Sequence, residues 1–434
     1  VNEEITDMKH IELSRRHILG AGAALAATGL AGCAGMGGGG PSIGKVVVVG
    51  GGFAGTTAAK YLRMWGGNVD VTLVERGDAF VSCPISNLVL GGHKQMADIT
   101  VPYSGLDKHG VKRVKGEVTA IDAQAKRVRL ADGTQLPYDR VVVAPGIDFM
   151  PEQIGGLQAA LDSGQVLHSW KAGPQTVALR KQLTDMADGG VVAVSIPKVP
   201  YRCPPGPYER ACMIAGYLKT AKPKSKLLVL DANPEIQSKK ALFEKAFADH
   251  YKGILEYRPN AELKEVAGGG KVAKLEFEDV RADVLNVIPP QRAGDLARTA
   301  GLVNINNRWA GVNWLTMEST ALPGVHVLGD ATFPAPAMPK SGHMANQHAK
   351  VAAAAIVQLL KGEAVNTAPV VMNTCYSFVT ARDVVHVASV HQYDAADKTF
   401  KAVPGSGGVS AAANQVEGRY ALAWAQNIWA DMLA

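Results

Sequence analysis

The chain has 434 residues, 47% hydrophobic and 19% charged, the balance of an ordinary globular protein with room for about three domains at ~150 residues each. Its net charge of +6 is spread along the sequence without a run of Lys or Arg, which argues against nucleic acid as a partner. Besides Cys33 it carries Cys83, Cys203, Cys212 and Cys375, and four cysteines allow three full pairings between which sequence alone does not choose.

Residues 1–33 read as a targeting segment. Ser14-Arg15-Arg16-His17-Ile18-Leu19 is a twin-arginine pattern ahead of an Ala/Gly-rich apolar stretch from Ile18 to Ala31, too short for a permanent membrane-spanning helix. An Ala-rich helix of the folded domain is the alternative, and the run Gly37 to Gly40 would break it. Twin-arginine export suits a cofactor enzyme that folds before transport, so a periplasmic location is expected. Leu30-Ala31-Gly32-Cys33 also has the form of a lipoprotein processing site. Cys33 would then be a lipid anchor and residues 34–44 a flexible tether; simple cleavage nearby is the alternative.

The next elements are strand, turn, helix, strand. Lys45 to Val49 supplies four valines for a buried parallel strand. Gly50, Gly52 and Gly55 form G-x-G-x-x-G, Thr56 to Trp65 has helical apolar spacing, and Val69 to Val74 is a second strand ending in Glu75. Gly50 makes the tight turn, Gly52 admits a pyrophosphate, and Gly55 lets the helix pack on the strand. Glu75, twenty residues past Gly55, is placed to accept hydrogen bonds from ribose hydroxyls. A bound dinucleotide is expected.

A second strand–helix unit follows. Gly190 to Ser195 and Lys226 to Leu230 read as strands, the latter ending in Asp231. The loop between them, Ile196 to Pro207, has lost the phosphate-binding glycines and gained five prolines, which have no N–H to offer a phosphate. It presents Cys203 instead, pointing to a thiol or disulfide reaction. Pro207 reads as the first residue of the next helix.

Two later segments choose the cofactor. Tyr138 to Gly146 resembles the second conserved strand of two-dinucleotide-binding flavoproteins, and Gly324 to Ala331 resembles their second FAD motif, with Asp330 at the ribityl chain. Their order implies FAD and an α/β fold of glutathione-reductase type: two Rossmann-like dinucleotide-binding domains plus a C-terminal α+β interface domain. The expected boundaries are 45–156 and 283–362 for the FAD-binding domain, 157–282 for a second Rossmann-like domain without an NAD motif, and 363–434 for the interface domain.

The body from Lys45 onward is similar to the flavoprotein subunit of flavocytochrome c sulfide dehydrogenase, a relative of the sulfide:quinone oxidoreductases. The segments that carry the resemblance are Arg202 to Arg210, Ile288 to Gly294, Met338 to Gly342 and Asn373 to Ser377. It implies covalent FAD through Cys83, although Pro84 stands where the family often has an aromatic residue. It implies a redox-active disulfide of Cys203 with Cys375 beside the flavin, Glu209 as acid/base, Lys340 at the flavin pyrimidine edge and Trp424 near the ring. The alternatives are a solvated first-turn acid for Glu209, a surface lysine for Lys340 and packing for Trp424. Cys212 is expected to be a packed small residue, and no metal site is expected.

The function implied is periplasmic sulfide oxidation, with electrons leaving to a c-type cytochrome subunit. The chain has no C-x-x-C-H for covalent haem of its own. Three alternatives remain: a membrane-associated sulfide:quinone oxidoreductase, an NADH-dependent disulfide reductase or NADH dehydrogenase, and a flavin-bearing partner without turnover.

Overall fold

The computed structural model describes residues 41–434; the expected targeting segment, Cys33 and most of the expected linker lie outside the described residues. The first sheet has seven strands. Its parallel core runs Val325–Val327, Arg140–Val143, Gly44–Val49, Val69–Glu75 and Lys112–Lys115 in spatial order. The valine run is buried because both faces of its strand are covered. Val46 and Val48 pack into the core that holds the helices Phe53–Gly66 and Gly342–Lys361, while Val47 and Val49 join Ile121, Val128 and Leu130 of a three-stranded antiparallel sheet. A strand buried on both sides is read from sequence as an unbroken apolar run.

The second sheet is also parallel, in the order Leu255–Arg258, Lys226–Asp231, Val191–Ile196 and Val284–Val287. The strand Val284–Val287 pairs with Val192 to Ser195. The second Rossmann-like unit therefore runs on past residue 282, where the sequence had placed its end. Four residues of an apolar strand look the same in either sheet, and only pairing assigns them. The helix after the proline-rich loop is Gly206–Ala221, so Pro207 is its second residue and not its first.

The chain ends in an antiparallel sheet, Val370–Phe378 with Val384–Asp394 and Thr399–Ala402, and the helix Gln415–Leu433. Asn414 caps that helix by accepting from the Glu417 N–H at 2.9 Å. Its far end is fastened to the first domain at Asp431, which accepts from Tyr61 Oη at 2.5 Å, Asn346 Nδ2 at 2.8 Å and Lys350 Nζ at 2.9 Å. This return of the C-terminal sheet onto both Rossmann-like units brings Cys375 to the site. The architecture is the α/β fold expected, and no described helix is long and apolar enough to cross a membrane.

Candidate active site

The glycine-rich turn is shaped for a ligand. Gly50 has φ +102°, and a Cβ on Gly55 would stand 1.7 Å from the Gly50 carbonyl oxygen, so the helix meets the strand only without that carbon. A Cβ on Gly52 would meet nothing within 4 Å, and Gly52 lines an open cavity. It is also the N-cap of the helix Phe53–Gly66, whose first turn holds no acid, leaving the positive end of the helix for an anion. Glu75 lines the same cavity and holds the turn, accepting from the Gly51 N–H at 2.6 Å through Oε2 and from the Arg76 and Gly77 N–H groups at 2.8 and 2.9 Å through Oε1. Space, dipole and carboxylate together fit the pyrophosphate and ribose of a dinucleotide.

The cavity encloses about 380 Å³ and continues from this cradle to Cys83, Cys203, Glu209, Asp330, Cys375 and Trp424. Segments of both Rossmann-like units and of the C-terminal domain thus meet around one space. Asp330 sits in a short 3-10 turn just after the strand Val325–Val327. Burial pushes its carboxyl up, with Arg202 and Lys340 opposing. Cys83 follows the strand Ala79–Val81. Its sulfur accepts from the Ala172 N–H at 3.4 Å and from Arg202 Nη2 at 3.5 Å, and donates to the Trp170 carbonyl at 3.8 Å.

Cys203 is held in the left-handed region, φ +59°, a conformation that costs a non-glycine residue roughly 1 kcal/mol or more. Two backbone bonds hold it there: its N–H donates to the Lys340 carbonyl at 2.8 Å, and its carbonyl accepts from Gly206 at 2.9 Å. Cys375 lies in the strand Val370–Phe378. Cys83, Cys203, Cys212 and Cys375 are all free thiols, so the expected Cys203–Cys375 disulfide is not formed in this structure. The Cys375 sulfur is engaged instead with the Asn373 amide, 3.3 Å from Nδ2 and 3.5 Å from Oδ1. Burial pushes the Cys203 thiol well up, and Cys375 and Glu209 add to that against Arg202 and Lys239. Cys212 is fully buried in the core of the second domain.

Glu209 is only 9% exposed, so a solvated first-turn acid does not describe it. Oε2 accepts from Asn87 Nδ2 at 2.7 Å and Oε1 from the Phe378 N–H at 2.8 Å. Burial raises its carboxyl, while the Phe378 and Asn87 bonds and the cations Lys239 and Arg210 pull it back. Such a group keeps its proton to higher pH than an exposed carboxyl does and can exchange it inside the site.

Lys340 is neither at the cavity wall nor on the surface. Its ammonium donates to the Asp330 carbonyl at 2.9 Å and to the Thr332 carbonyl, and lies 3.6 Å from the centre of the Trp309 ring. Burial brings it down to about 7. It braces the loop behind Asp330 and Cys203. Trp424 does line the cavity, in edge contact with His343 at 5.8 Å and tilted against Tyr376 at 6.3 Å.

The sequence reading passed over Lys239 and Arg210. Lys239, 7% exposed, donates to the Cys375 carbonyl at 3.0 Å, Ser377 Oγ at 2.7 Å and the Val385 carbonyl at 3.3 Å. Burial brings it down to about 8, against the pull of Cys375, Glu209, Cys203 and Glu417. Lys239-Lys240 reads as a solvated pair, and only Lys240 is one, with Glu235 at 2.7 Å. Arg210 is buried and donates to the His168 and Ser169 carbonyls and to Asn286 Oδ1, while its Nε at 3.3 Å orients Asn87 toward Glu209. It lay inside the segment Arg202 to Arg210, whose family likeness was the one available signal.

Residues 176–289 match the family model for the central region of the sulfide dehydrogenase (flavocytochrome c) flavoprotein chain, and residues 367–433 match the flavin-binding model of flavocytochrome c sulphide dehydrogenase. Residues 44–187 match the pyridine nucleotide-disulphide oxidoreductase model. The chain is 60% identical over 45 residues to the sulfide dehydrogenase (flavocytochrome c) flavoprotein chain of Chlorobaculum thiosulfatiphilum, covering 10% of this chain and 94% of that one. It is 23% identical over 301 residues to the mitochondrial sulfide:quinone oxidoreductase of Dictyostelium discoideum, covering 66% of this chain and 65% of that relative's length. The solved sulfide:quinone oxidoreductase of Aquifex aeolicus shares the fold at a TM-score of 0.73 and 20% identity, over 89% of this chain and 91% of that one.

Proposed function

The chain belongs to the flavocytochrome c sulfide dehydrogenase flavoprotein family, and from that premise we propose that it oxidises sulfide and passes the electrons to a c-type cytochrome subunit. The observation that carries this reading is the meeting of Cys203 and Cys375, far apart in sequence, at the cavity that also holds the dinucleotide cradle. FAD would lie along Gly52, Glu75 and Asp330. When bound it supplies the two-electron acceptor, and we propose its attachment to Cys83. Hydrosulfide attacks one sulfur of a Cys203–Cys375 disulfide. The S–S bond breaks, a persulfide forms on the attacked cysteine, and the other sulfur leaves as thiolate. Glu209 holds or releases the accompanying proton. Lys239 supplies a buried positive charge near the charge that develops.

The twin-arginine segment supports export to the periplasm, and Leu30-Ala31-Gly32-Cys33 supports a lipid tether at Cys33. The names of the Dictyostelium and Aquifex relatives favour a second reading, in which a quinone takes the electrons. Anaerobic titration of the flavin-loaded protein with sulfide, followed by cytochrome c or a quinone analogue, tests both. Sulfide should bleach the flavin, and cytochrome c should restore its colour faster than the quinone. Sulfide that leaves the flavin oxidised sinks both readings. Acid precipitation should leave the yellow colour in the pellet, and Cys83→Ser should release it to the supernatant.

A further inference from the structure

Asn373 is 3% exposed, and its amide is oriented by its neighbours. Ser341 caps the helix Gly342–Lys361, its Oγ accepting from the Met344 N–H at 3.0 Å. That hydroxyl has one proton and two further neighbours, Asn373 Oδ1 at 2.6 Å and the Cys375 sulfur. The bond to Asn373 is short and an amide oxygen is a better acceptor than a thiol sulfur, so the proton goes to Asn373, which makes the near atom the carbonyl oxygen and turns the NH₂ end away from Ser341. The NH₂ end meets the Cys375 sulfur at 3.3 Å. A helix cap thus fixes, through one amide, an N–H donor aimed at a thiol of the candidate site.

We infer that Asn373 is a further catalytic residue, whose Nδ2–H stabilises negative charge on the Cys375 sulfur, with Ser341 as the positioning residue that holds the amide in register. The catalytic meaning rests on the sulfide-oxidation reading, in which Cys375 must pass through a thiolate or persulfide. As a thiol, Cys375 reaches toward Oδ1 at 3.5 Å, in competition with the Ser341 hydroxyl. As an anion, it accepts from Nδ2 and leaves Oδ1 wholly to Ser341. The network is therefore better satisfied when the sulfur is charged. Other groups face this sulfur from the surrounding elements. Lys239 bonds its backbone carbonyl, Glu209 lies across the cavity on the helix Gly206–Ala221, and Cys203 stands in the loop before that helix. His343 accepts from the neighbouring Thr374 N–H through Nδ1 at 3.0 Å. Burial pushes the Cys375 thiol up, Lys239, Asn373 and Ser341 pull it back, and Glu209 pushes it further.

The test is the pH profile of Cys375 alkylation by iodoacetamide, read by peptide mass spectrometry on the reduced, flavin-loaded protein in a Cys203→Ser background. Asn373→Ala should raise the midpoint by about one pH unit, which slows alkylation about tenfold at any pH well below it. Ser341→Gly, which keeps a tolerated N-cap, should shift the midpoint the same way by less, and Ser341→Thr should restore the parent profile. A midpoint unmoved by Asn373→Ala, with a native flavin spectrum, overturns the role while leaving the sulfide reading intact. If Asn373→Ala does not accumulate, an unmoved midpoint in Ser341→Gly overturns it equally. If sulfide fails to reduce the parent flavin, the sulfide reading falls and the catalytic role falls with it, whatever the alkylation profile.

Discussion

A buried lysine among two thiols and a carboxylate sets the electrostatics of this site. Lys239 spends its three protons on Cys375, Ser377 and Val385, so it both pins the Cys375 strand and carries the charge that offsets Glu209. Lys239→Met keeps most of the volume and strands those three acceptors. The unmet bonds cost about 1–3 kcal/mol each when buried, and relief from burying a cation offsets part of that. The net effect expected is a lower urea midpoint. The more specific effect concerns Glu209, whose carboxyl burial raises and Lys239 lowers. Without the lysine the carboxyl rises further, so the acid limb of the sulfide-dependent rate should move to higher pH. Lys239→Arg should keep that limb near its original place. A limb that stays fixed in Lys239→Met would show that Glu209 does not feel this charge.

At the scale of elements, the second strand–helix unit has the outline of a nucleotide site and none of its chemistry. Asp231, at the strand end where a ribose-binding acid would stand, is fully buried. It accepts from Tyr208 Oη at 2.7 Å, Tyr257 Oη at 3.0 Å, and the Asn233 N–H and Nδ2 at 2.9 and 2.7 Å. A carboxylate so occupied has no lone pair free for a ribose. Anaerobic NADH should therefore leave the flavin oxidised on the timescale at which sulfide reduces it, and rapid bleaching by NADH would refute this.

The helix Gln415–Leu433 depends on a close approach. A Cβ on Gly418 would stand 2.2 Å from the Arg382 carbonyl oxygen. Alanine gains about 1 kcal/mol in helix propensity, while forcing a backbone oxygen aside costs about 1–3 kcal/mol. Gly418→Ala should thus lower the melting temperature and loosen Trp424 against the cavity. A raised melting temperature would mean that the helix yields freely.

For the molecule as a whole, buried histidines set an acid limit, His326 and His348 among them. His326 is 0% exposed and His348 4%; burial brings them down to about 4 and about 3 respectively. In the unfolded chain both titrate near ~6.5. As pH falls below that value the unfolded state takes up protons that the folded state refuses, so stability falls by up to about 1.4 kcal/mol per pH unit for each. Glu209 and Asp330, whose carboxyls burial raises, act in the opposite sense. Burial lowers His93, His168, His343 and His391 in the same direction, so the histidines outnumber these carboxyls and the urea midpoint should be lower at pH 5.5 than at pH 7.5. Equal midpoints would count against them, and a smaller drop in His348→Gln would assign part of the effect.

The dinucleotide cradle was legible in the sequence because its physics is local. Gly50, Gly52, Gly55 and Glu75 fall within one strand–turn–helix–strand unit, and glycine spacing alone encodes the turn, the open face and the close approach. The lost phosphate chemistry of the second unit was legible for the same reason, since proline removes N–H groups wherever it stands. The pairing of Val284–Val287 was not legible, because a short apolar strand suits either sheet. The site residues divide the same way. Family likeness marked Cys203, Glu209 and Cys375, but their common cavity arises from segments of both Rossmann-like units and the C-terminal sheet meeting. Lys239 looks like any surface lysine until that sheet closes over it, and Lys340 looks like a site cation until its ammonium is found on backbone carbonyls. The sequence determined what could bind in the first domain. Tertiary packing alone decided which thiols, carboxylate and cations come together around one cavity, because burial and charge contacts belong to groups far apart along the chain.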